Sequence, residues 1–295
     1  MQSLARLDRV TLHATDRLDV IPLGQAPRPT TGPDLAERLR AGIGEVCGGA
    51  VQGLDRLRLE ATLDGPDVPA LVVDLTGLAV RLDAGAGSTT PSAQVLRREA
   101  GVIRSASLTA HPMTVADVAV DVDAVVDGLR FSWLERTDGS VAVELQEPSG
   151  EAPVSGQARV AVDRDRLVAA VRQVAATTLA AQGFVLSSLD VRLTSHGPVS
   201  VAVEAVAKVR KGMLSATARV GAMAEVSDDL VLTVRDVEAT SRNPLVAAAL
   251  VAFRGRLEAL ERQRVDIAAA LPPGVRVEAL RLDVGDELVL TARLA

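Results

Sequence analysis

The chain has 295 residues and a formal net charge of −6; 48% of its residues are hydrophobic, although only 1% are aromatic. This acidic balance argues against a general nucleic-acid binder, whose affinity comes largely from neutralising phosphates with basic residues. The length is enough for one large or two medium domains, either of which can bury a substantial core.

The N-terminal residues carry no recognisable targeting signal. Residues 1–9 lack the apolar stretch of a secretory signal, and no part of the sequence approaches the roughly 18 uninterrupted apolar residues of a membrane span. Cys47 is the only cysteine, so an intrachain disulfide is impossible and a reducing compartment fits. We therefore predict a soluble, cytoplasmic protein.

Two helices are predicted in the first part of the chain. Thr31 is a cap candidate, with Pro33 in the first turn and Asp34 three residues after the cap. Apolar residues at helical spacing follow from Leu35 to residue 46. A second, short helix is predicted over residues 92–99.

Two more helices are predicted further along. One starts near Asp165 and ends at Gly183, a glycine suited to a left-handed cap. The other starts at Asn243, before a proline, and continues to about residue 268. At 1.5 Å per residue it would be about 35–40 Å long. Its apolar stripe consists of Val246, Leu250, Phe253, Leu257 and Leu260.

Most of the remaining sequence alternates apolar and polar residues, which predicts strands with one dry and one wet face and favours antiparallel pairing. In residues 275–282 the apolar phase slips by one at Ala279 and Leu280, which predicts a bulge or a bend. The alternating sets lie in residues 57–63, 78–82, 118–122, 129–133, 141–145, 189–193, 214–220, 230–234 and 288–294.

A faint internal repeat suggests two halves of related design. The spacing from Leu35 to Leu57 is 22 residues, and so is the spacing from Leu167 to Leu189. In both cases a predicted helix precedes a predicted strand. The Pro, Gly and Ser residues around position 150 mark a boundary, so we predict one helix-plus-sheet half over residues 1–150 and another over residues 151–295.

No residue pattern predicts catalysis, a metal or a cofactor. A zinc site normally needs three or four ligands, whereas each histidine is far in sequence from any second His or Cys. We therefore interpret the histidines as strand-end or loop residues: His13, His111 and His196.

Two further features each have a purely structural and a functional interpretation. Asp121 and Asp123 would share a strand face and could hold a hard cation, but a solvated strand face explains them as well. Cys47 has no charged neighbour in sequence that would activate its thiol. We interpret it as a small buried residue, with a reactive thiol as the alternative.

The C-terminal quarter resembles the LmeA-like phospholipid-binding family of actinobacteria. The likeness rests on a long amphipathic helix from residue 243, the Leu-Pro-Pro-Gly turn at 271–274, and two strands separated by Gly285. Residues 71–80 and 101–122 resemble strand pairs of the same family. Family members typically carry an export signal or anchor, which this sequence lacks.

The resemblance implies a tubular lipid-binding (TULIP-like) fold, in which a bent antiparallel sheet wraps a long helix around an apolar tunnel. We therefore predict an α+β protein whose strongly curved antiparallel sheets wrap around long amphipathic helices. The resemblance also implies a lipid as the ligand.

The predicted function is non-catalytic binding of a lipid or another long apolar molecule in an aliphatic groove or tunnel. Aliphatic walls suit flexible chains, since flat aromatic ligands need ring partners. The predicted lining consists of the stripe of the 243–268 helix together with Leu167, Val171 and Val174. The alternative is that both stripes pack into a closed core.

The alternative function is that of a structural or assembly protein. Its sheet edges or helix stripe would bind another protein or a second copy of the chain as a homo-oligomer, and its core would be closed. A basic group allows at most peripheral contact with an anionic membrane surface. It consists of Lys208, Arg210, Lys211 and Arg219.

Overall fold

A computed structural model of the chain describes residues 20–81, 93–147, 154–181, 183–212, 214–241, 243, 264–268 and 275–295. These residues contain two α-helices, α1 (Gly32–Cys47) and α2 (Arg164–Ala180). The strands are β1 (Val20–Gln25), β2 (Val51–Gln52), β3 (Arg58–Ala61), β4 (Val68–Asp74), β5 (Ala79–Val80), β6 (Val95–Val115), β7 (Val118–Arg136), β8 (Ser140–Leu145), β9 (Ser155–Asp163), β10 (Val185–Ser195), β11 (Ser200–Lys211), β12 (Leu214–Val226), β13 (Val231–Ser241), β14 (Arg264–Asp266), β15 (Val277–Val284) and β16 (Glu287–Leu294).

The predicted fold class is wrong. The described residues are mostly β-strand, and their two helices have only 16 and 17 residues. Sheets wrapped around long amphipathic helices, the TULIP-like arrangement, are therefore not the architecture of the part of the chain that the structure describes. Most of the predicted 243–268 helix, including all five residues of its stripe, lies outside the described residues.

The short helix predicted over residues 92–99 is also wrong, because Val95 begins the 21-residue strand β6. The predicted alternating strands agree better with the structure: residues 129–133 lie in β7, 141–145 in β8 and 189–193 in β10. In β15 the exposure pattern shifts phase at Ala279 and Leu280, where the sequence predicted it.

The described residues divide into two compact units. The first unit contains those between 20 and 162, together with 275–280 and 290–295. The second contains those between 163 and 268, together with 281–289. The division thus falls at 162/163, whereas the Pro- and Gly-rich segment suggested 150/151, and the two C-terminal strands contribute residues to both units.

The first unit is built around the β6–β7 hairpin, whose strands pair over nearly their whole length. The hairpin turns at Ala116 and Asp117, which both have positive φ, as the tight turns that suit twisted hairpins require. β8 pairs antiparallel with β7, and β1 with β8. β4 and β5 pair with β6 in parallel, an arrangement that alternation alone did not predict.

Both helices begin with a capping side chain, at the predicted Thr31 in α1 and at Asp163, two residues before the predicted start, in α2. The Asp34 N–H donates to Thr31 Oγ1 at 3.4 Å, at the start of α1. The Arg166 N–H donates to Asp163 Oδ1 at 2.8 Å, at the start of α2. These bonds satisfy backbone donors that have no partner inside a helix.

The second unit has an antiparallel sheet in the order β10-β11-β12-β13-β14. Its described side chains include few that are buried, and none of them comes from α2. The first unit has a much larger apolar cluster, centred on α1, β7 and β8. The buried apolar residues of the second unit are Leu189, Val201, Val209, Ala218 and Val226.

Candidate functional site

A cavity of about 430 Å³ lies inside the apolar core of the first unit and is partly open to solvent. All 23 residues that line it are apolar, and 19 of them are Ile, Leu or Val. Pockets for small ligands usually have a volume of about 300–1,000 Å³. The cavity is therefore large enough for a ligand and lined almost entirely by aliphatic side chains.

Helix α1 forms one wall of the cavity. Leu35, Leu39, Ile43 and Cys47 line it, and their spacing of four residues places them on one face of the helix. Gly42 lets this helix approach β1 closely, since a Cβ there would lie 2.0 Å from the Pro22 carbonyl oxygen. The amphipathic stripe that the sequence predicted for this helix thus faces the cavity.

The sheet forms the opposite wall. On β4, Leu71 and Val73 line the cavity, whereas Val72 between them is 41% exposed. This alternation follows from the two-residue period of a strand. The other sheet residues of the lining are Ile21, Val51, Leu59, Val68, Val80, Ile103, Leu108, Met113, Leu129, Phe131, Trp133, Val143 and Leu145.

Two of the chain's four aromatic residues line the cavity. The rings of Phe131 and Trp133 pack edge to face, with centroids 5.3 Å apart, and both residues are buried. Trp133 Nε1 donates a hydrogen bond to the Pro66 carbonyl oxygen at 2.8 Å, so the only polar atom of these rings has a partner. The Arg28 guanidinium lies over the Trp133 ring, 5.6 Å from its centre.

The lining residues at the C-terminal end of α1 are more exposed. Cys47, Val51, Val80 and Met113 are all half-buried. Val51 pairs with Val80 across β2 and β5, and Val80 pairs in turn with Val115 on β6. The same partial exposure occurs at Leu145, which pairs with Phe131 on the neighbouring strand.

Cys47 is the one ionisable residue in the lining. Burial raises the pKa of its thiol above the ordinary value, because the charged thiolate is poorly solvated there. The thiol is therefore neutral at neutral pH, which agrees with the interpretation of Cys47 as a small apolar residue.

The chemistry of the cavity follows from this lining. A bound molecule gains free energy mainly from burial of apolar surface, about 25 cal/mol per Å². A polar group inside the cavity would lose its hydrogen bonds to water without replacement, at a cost of about 2–7 kcal/mol. The site suits an apolar chain and disfavours a charged one.

The predicted lining residues lie elsewhere. Leu167, Val171 and Val174 are on α2 in the second unit, where Leu167 is half-buried and the two valines are 44% and 67% exposed. None of the three lines the cavity. The other predicted residues, from Val246 to Leu260, lie outside the described residues. The stripe on α1 was the sequence signal for one wall of the cavity, but the sequence did not distinguish it from the stripe on α2.

On the β6–β7 hairpin, His111 contacts the two acids that the sequence placed on one strand face, a contact that the sequence did not predict. His111 Nε2 lies 3.0 Å from Asp123 Oδ1, and His111 Nδ1 lies 3.5 Å from Asp121 Oδ1. All three side chains are 41–52% exposed. Among the described residues, no group of three or more His, Cys, Asp and Glu side chains could hold a metal ion. The cluster is consistent with the solvated strand face predicted for these acids.

The fold and the cavity define a class: a mostly β protein with an aliphatic cavity between a short helix and a sheet. No family model matches the chain, and neither a curated protein nor a solved structure does. Membership in the LmeA-like family, and the phospholipid binding it implied, therefore have no support from these comparisons. Within the described residues, no helix is both long and apolar enough to cross a membrane.

Proposed function

We propose that the first unit binds a long, flexible aliphatic molecule in its cavity and does no chemistry on it. One observation carries the proposal: a cavity of about 430 Å³ inside the core has 23 lining residues, all of them apolar. A well-packed core has few voids larger than a water molecule. A void of this size that is partly open to solvent is more typical of a ligand site than of a core.

The lining favours an aliphatic ligand over a flat aromatic one. Most of the walls are Ile, Leu and Val side chains, which contact a flexible chain from all sides. Ring stacking needs aromatic side chains, and the two in the lining, Phe131 and Trp133, already pack on each other.

The lining also favours binding without catalysis. General acid or base catalysis requires a titratable group within hydrogen-bonding distance of the reacting atoms. Cys47 alone could ionise, and burial raises its pKa, which keeps the nucleophilic thiolate scarce.

A pair of variants on β4 tests the proposal. Val73→Phe places a ring in the cavity, whereas Val72→Phe changes the exposed neighbour on the same strand. Hexadecanoate is the probe, with binding measured by native mass spectrometry and by the shift in Tm. We expect the wild type and V72F to bind hexadecanoate and V73F to lose most of the binding.

Fold integrity needs its own control, since overpacking a core costs about 1–3 kcal/mol. Circular dichroism melts show whether V73F is folded, and Met113→Trp, at a half-buried lining position, is a second blocking variant. Unchanged binding in folded V73F and M113W, or no binding by the wild type, would contradict the proposal.

A second candidate function, the binding of a protein through the α2 stripe, is favoured by the exposure of Val171 and Val174. Size-exclusion chromatography with light scattering on the wild type and on the double variant V171D/V174D tests it. A complex or dimer that the double variant abolishes supports this function, and a monomer in both cases contradicts self-association through the stripe.

A further inference from the structure

The basic group of the sequence lies at one end of the sheet in the second unit. Lys208, Arg210 and Lys211 belong to the last turns of side chains along β11, and Arg219 lies on β12, which pairs with β11. All four residues are exposed. Lys208 and Lys211 are also the only lysines of the chain.

No acid accompanies these cations in the neighbouring sequence. Residues 205–224 contain four basic residues and neither Asp nor Glu, and residues 173–189, from α2 into β10, contain no acid either. The two segments adjoin, since Val185 pairs with Arg210 and a Cβ on Gly183 would lie 3.9 Å from Lys211 Cε. They form the basic end of this sheet, in a chain whose net charge is −6.

Apolar side chains lie beside the cations of the basic end. Val185, the partner of Arg210, is 54% exposed. Phe184 is half-buried, and Lys211 Nζ lies 4.7 Å from the centre of its ring. A lysine can cover apolar surface with its stem while its charged end stays in water. The basic end therefore presents both charge and apolar surface to solvent.

We propose that the basic end docks on an anionic lipid surface, with the β11–β12 hairpin and Val185 closest to the lipid. This inference concerns the second unit alone and is independent of the function proposed for the cavity of the first unit.

The chemistry of the basic end fits a lipid surface better than another polyanion. Each Lys or Arg close to an anionic bilayer strengthens binding about fivefold. Binding to a lipid surface also buries apolar side chains, which gives the exposed Val185 a role. Non-specific binding to nucleic acid depends on phosphate neutralisation, to which a valine contributes nothing.

The strand register ranks the four cations. Arg210 and Lys211 lie at the end of β11, whereas Lys208 is two residues further back, and Arg219 pairs with Val206, four residues back from Arg210. At about 3.3 Å per residue these separations are about 7 and 13 Å, and salt at about 0.1 M screens charges beyond about 10 Å. Docking through this end therefore depends most on Arg210 and Lys211.

Sedimentation of the full chain with lipid vesicles tests the proposal. One set of vesicles is neutral phosphatidylcholine, and the other is a mixture of phosphatidylcholine with anionic phosphatidylglycerol. We expect binding to the mixed vesicles alone at about 0.1 M salt and its loss at about 1 M, where the screening length is about 3 Å. Equal binding to both sets, or binding to neither, would overturn the proposal.

Glutamine variants locate the docking surface. Arg210→Gln with Lys211→Gln should weaken binding about 25-fold, about fivefold for each removed charge, and K208Q/R219Q should weaken it less. The matched control R276Q/R293Q removes two exposed arginines from the first unit and should bind like the wild type. Equal losses in the two hairpin variants, or a loss of the same size in the control, would overturn docking through the basic end.

Val185→Ser tests the apolar contribution with a single exposed substitution, and circular dichroism melts show that each variant is folded. We expect V185S to bind the mixed vesicles more weakly and with the wild-type salt dependence. Unchanged binding by V185S would overturn insertion of apolar side chains.

Duplex DNA is the competing polyanion. Binding of a short duplex that R210Q/K211Q weakens, without binding to either set of vesicles, would overturn the lipid surface in favour of nucleic acid. The cavity variant V73F should bind the mixed vesicles like the wild type, so a failure of the function proposed for the cavity leaves this test intact.

Discussion

Arg40 and Arg172 make the same contact in the two units. Arg40 Nε donates to the Leu57 carbonyl oxygen at 3.0 Å, and an Arg172 terminal nitrogen donates to the Leu189 carbonyl oxygen at 2.8 Å. Each arginine is the ninth residue of its helix and lies 17 residues before the leucine. The 22-residue spacing therefore reflects a repeated helix–strand connection.

We expect Arg40→Ala and Arg172→Ala each to destabilise their own unit. Each substitution leaves a leucine carbonyl without its charged donor, a loss of about 1–2 kcal/mol for a part-buried bond. Urea unfolding with hydrogen-exchange readout of each unit measures the effect. Glu37→Ala, an exposed change on α1, is the control. An R40A effect no larger than that of E37A would show that the contact contributes nothing measurable.

Cys47 should react slowly in the folded protein. Burial raises the pKa of its thiol, so less of the reactive thiolate is present than in the unfolded chain. We expect iodoacetamide to label native protein much more slowly than urea-unfolded protein at pH 8, and the difference to shrink as the pH rises through the folded pKa.

The raised pKa of Cys47 also determines how the stability of the protein depends on pH. Because the folded state holds the Cys47 proton more tightly, its contribution to stability is fully present below the unfolded pKa. It is lost as the pH rises through the folded pKa. Cys47→Ser, measured by urea unfolding over alkaline pH, should lack this loss; an equal pH dependence in wild type and C47S would contradict it.

At the scale of elements, α1 is held against β1 by a contact that only glycine allows. A Cβ on Gly42 would lie 2.0 Å from the Pro22 carbonyl oxygen and 3.0 Å from Ile21 Cγ2. Gly44, on the same helix, would place its Cβ in ordinary contact, 3.6 Å from Leu54 Cδ1. The close packing on β1 thus requires glycine at position 42, whereas the space at position 44 accepts a Cβ.

Alanine substitutions separate the two cases. We expect Gly42→Ala to destabilise the protein by about 1–3 kcal/mol, because the helix must move away from β1. Gly44→Ala should be neutral or stabilising by up to about 1 kcal/mol, since alanine favours a helix. Chemical unfolding of both variants measures this difference, and a neutral G42A would show that the close approach can relax freely.

Local signals predicted the elements that depend on local chemistry. The cap at Thr31 and helical apolar spacing identified α1, helical spacing before Gly183 identified α2, and period-two alternation identified most strands. The failure at residues 92–99 has a physical cause. Helix-forming residues there lie in β6, where pairing with β7 across the hairpin overrides a weak intrinsic preference.

At the scale of the whole molecule, the cavity could not be located from the sequence because non-local pairings assemble it. Its lining extends from Ile21 to Leu145, and the parallel pairing of β4 with β6 has no local signature. Several apolar stripes looked alike in the sequence. The stripe on α1 faces a cavity, whereas Val171 and Val174 on the related helix are exposed.

Because every lining residue belongs to the first unit, ligand binding should stabilise that unit selectively. A ligand at about 100 times its Kd stabilises the state that binds it by about 2.7 kcal/mol. Amide hydrogen exchange shows which residues are stabilised, because local opening in each part of the structure has its own free energy.

We therefore expect saturating hexadecanoate to slow amide exchange in α1, β3 and β4, with β10–β13 unchanged. The physical reason is that openings of the first unit must now expel the ligand, whereas openings of the second unit need not. Mass spectrometry of peptic peptides makes the measurement, with V73F as the control that should show no change in either unit. Equal slowing in β10–β13, or slowing in folded V73F as large as in the wild type, would place the ligand outside this cavity.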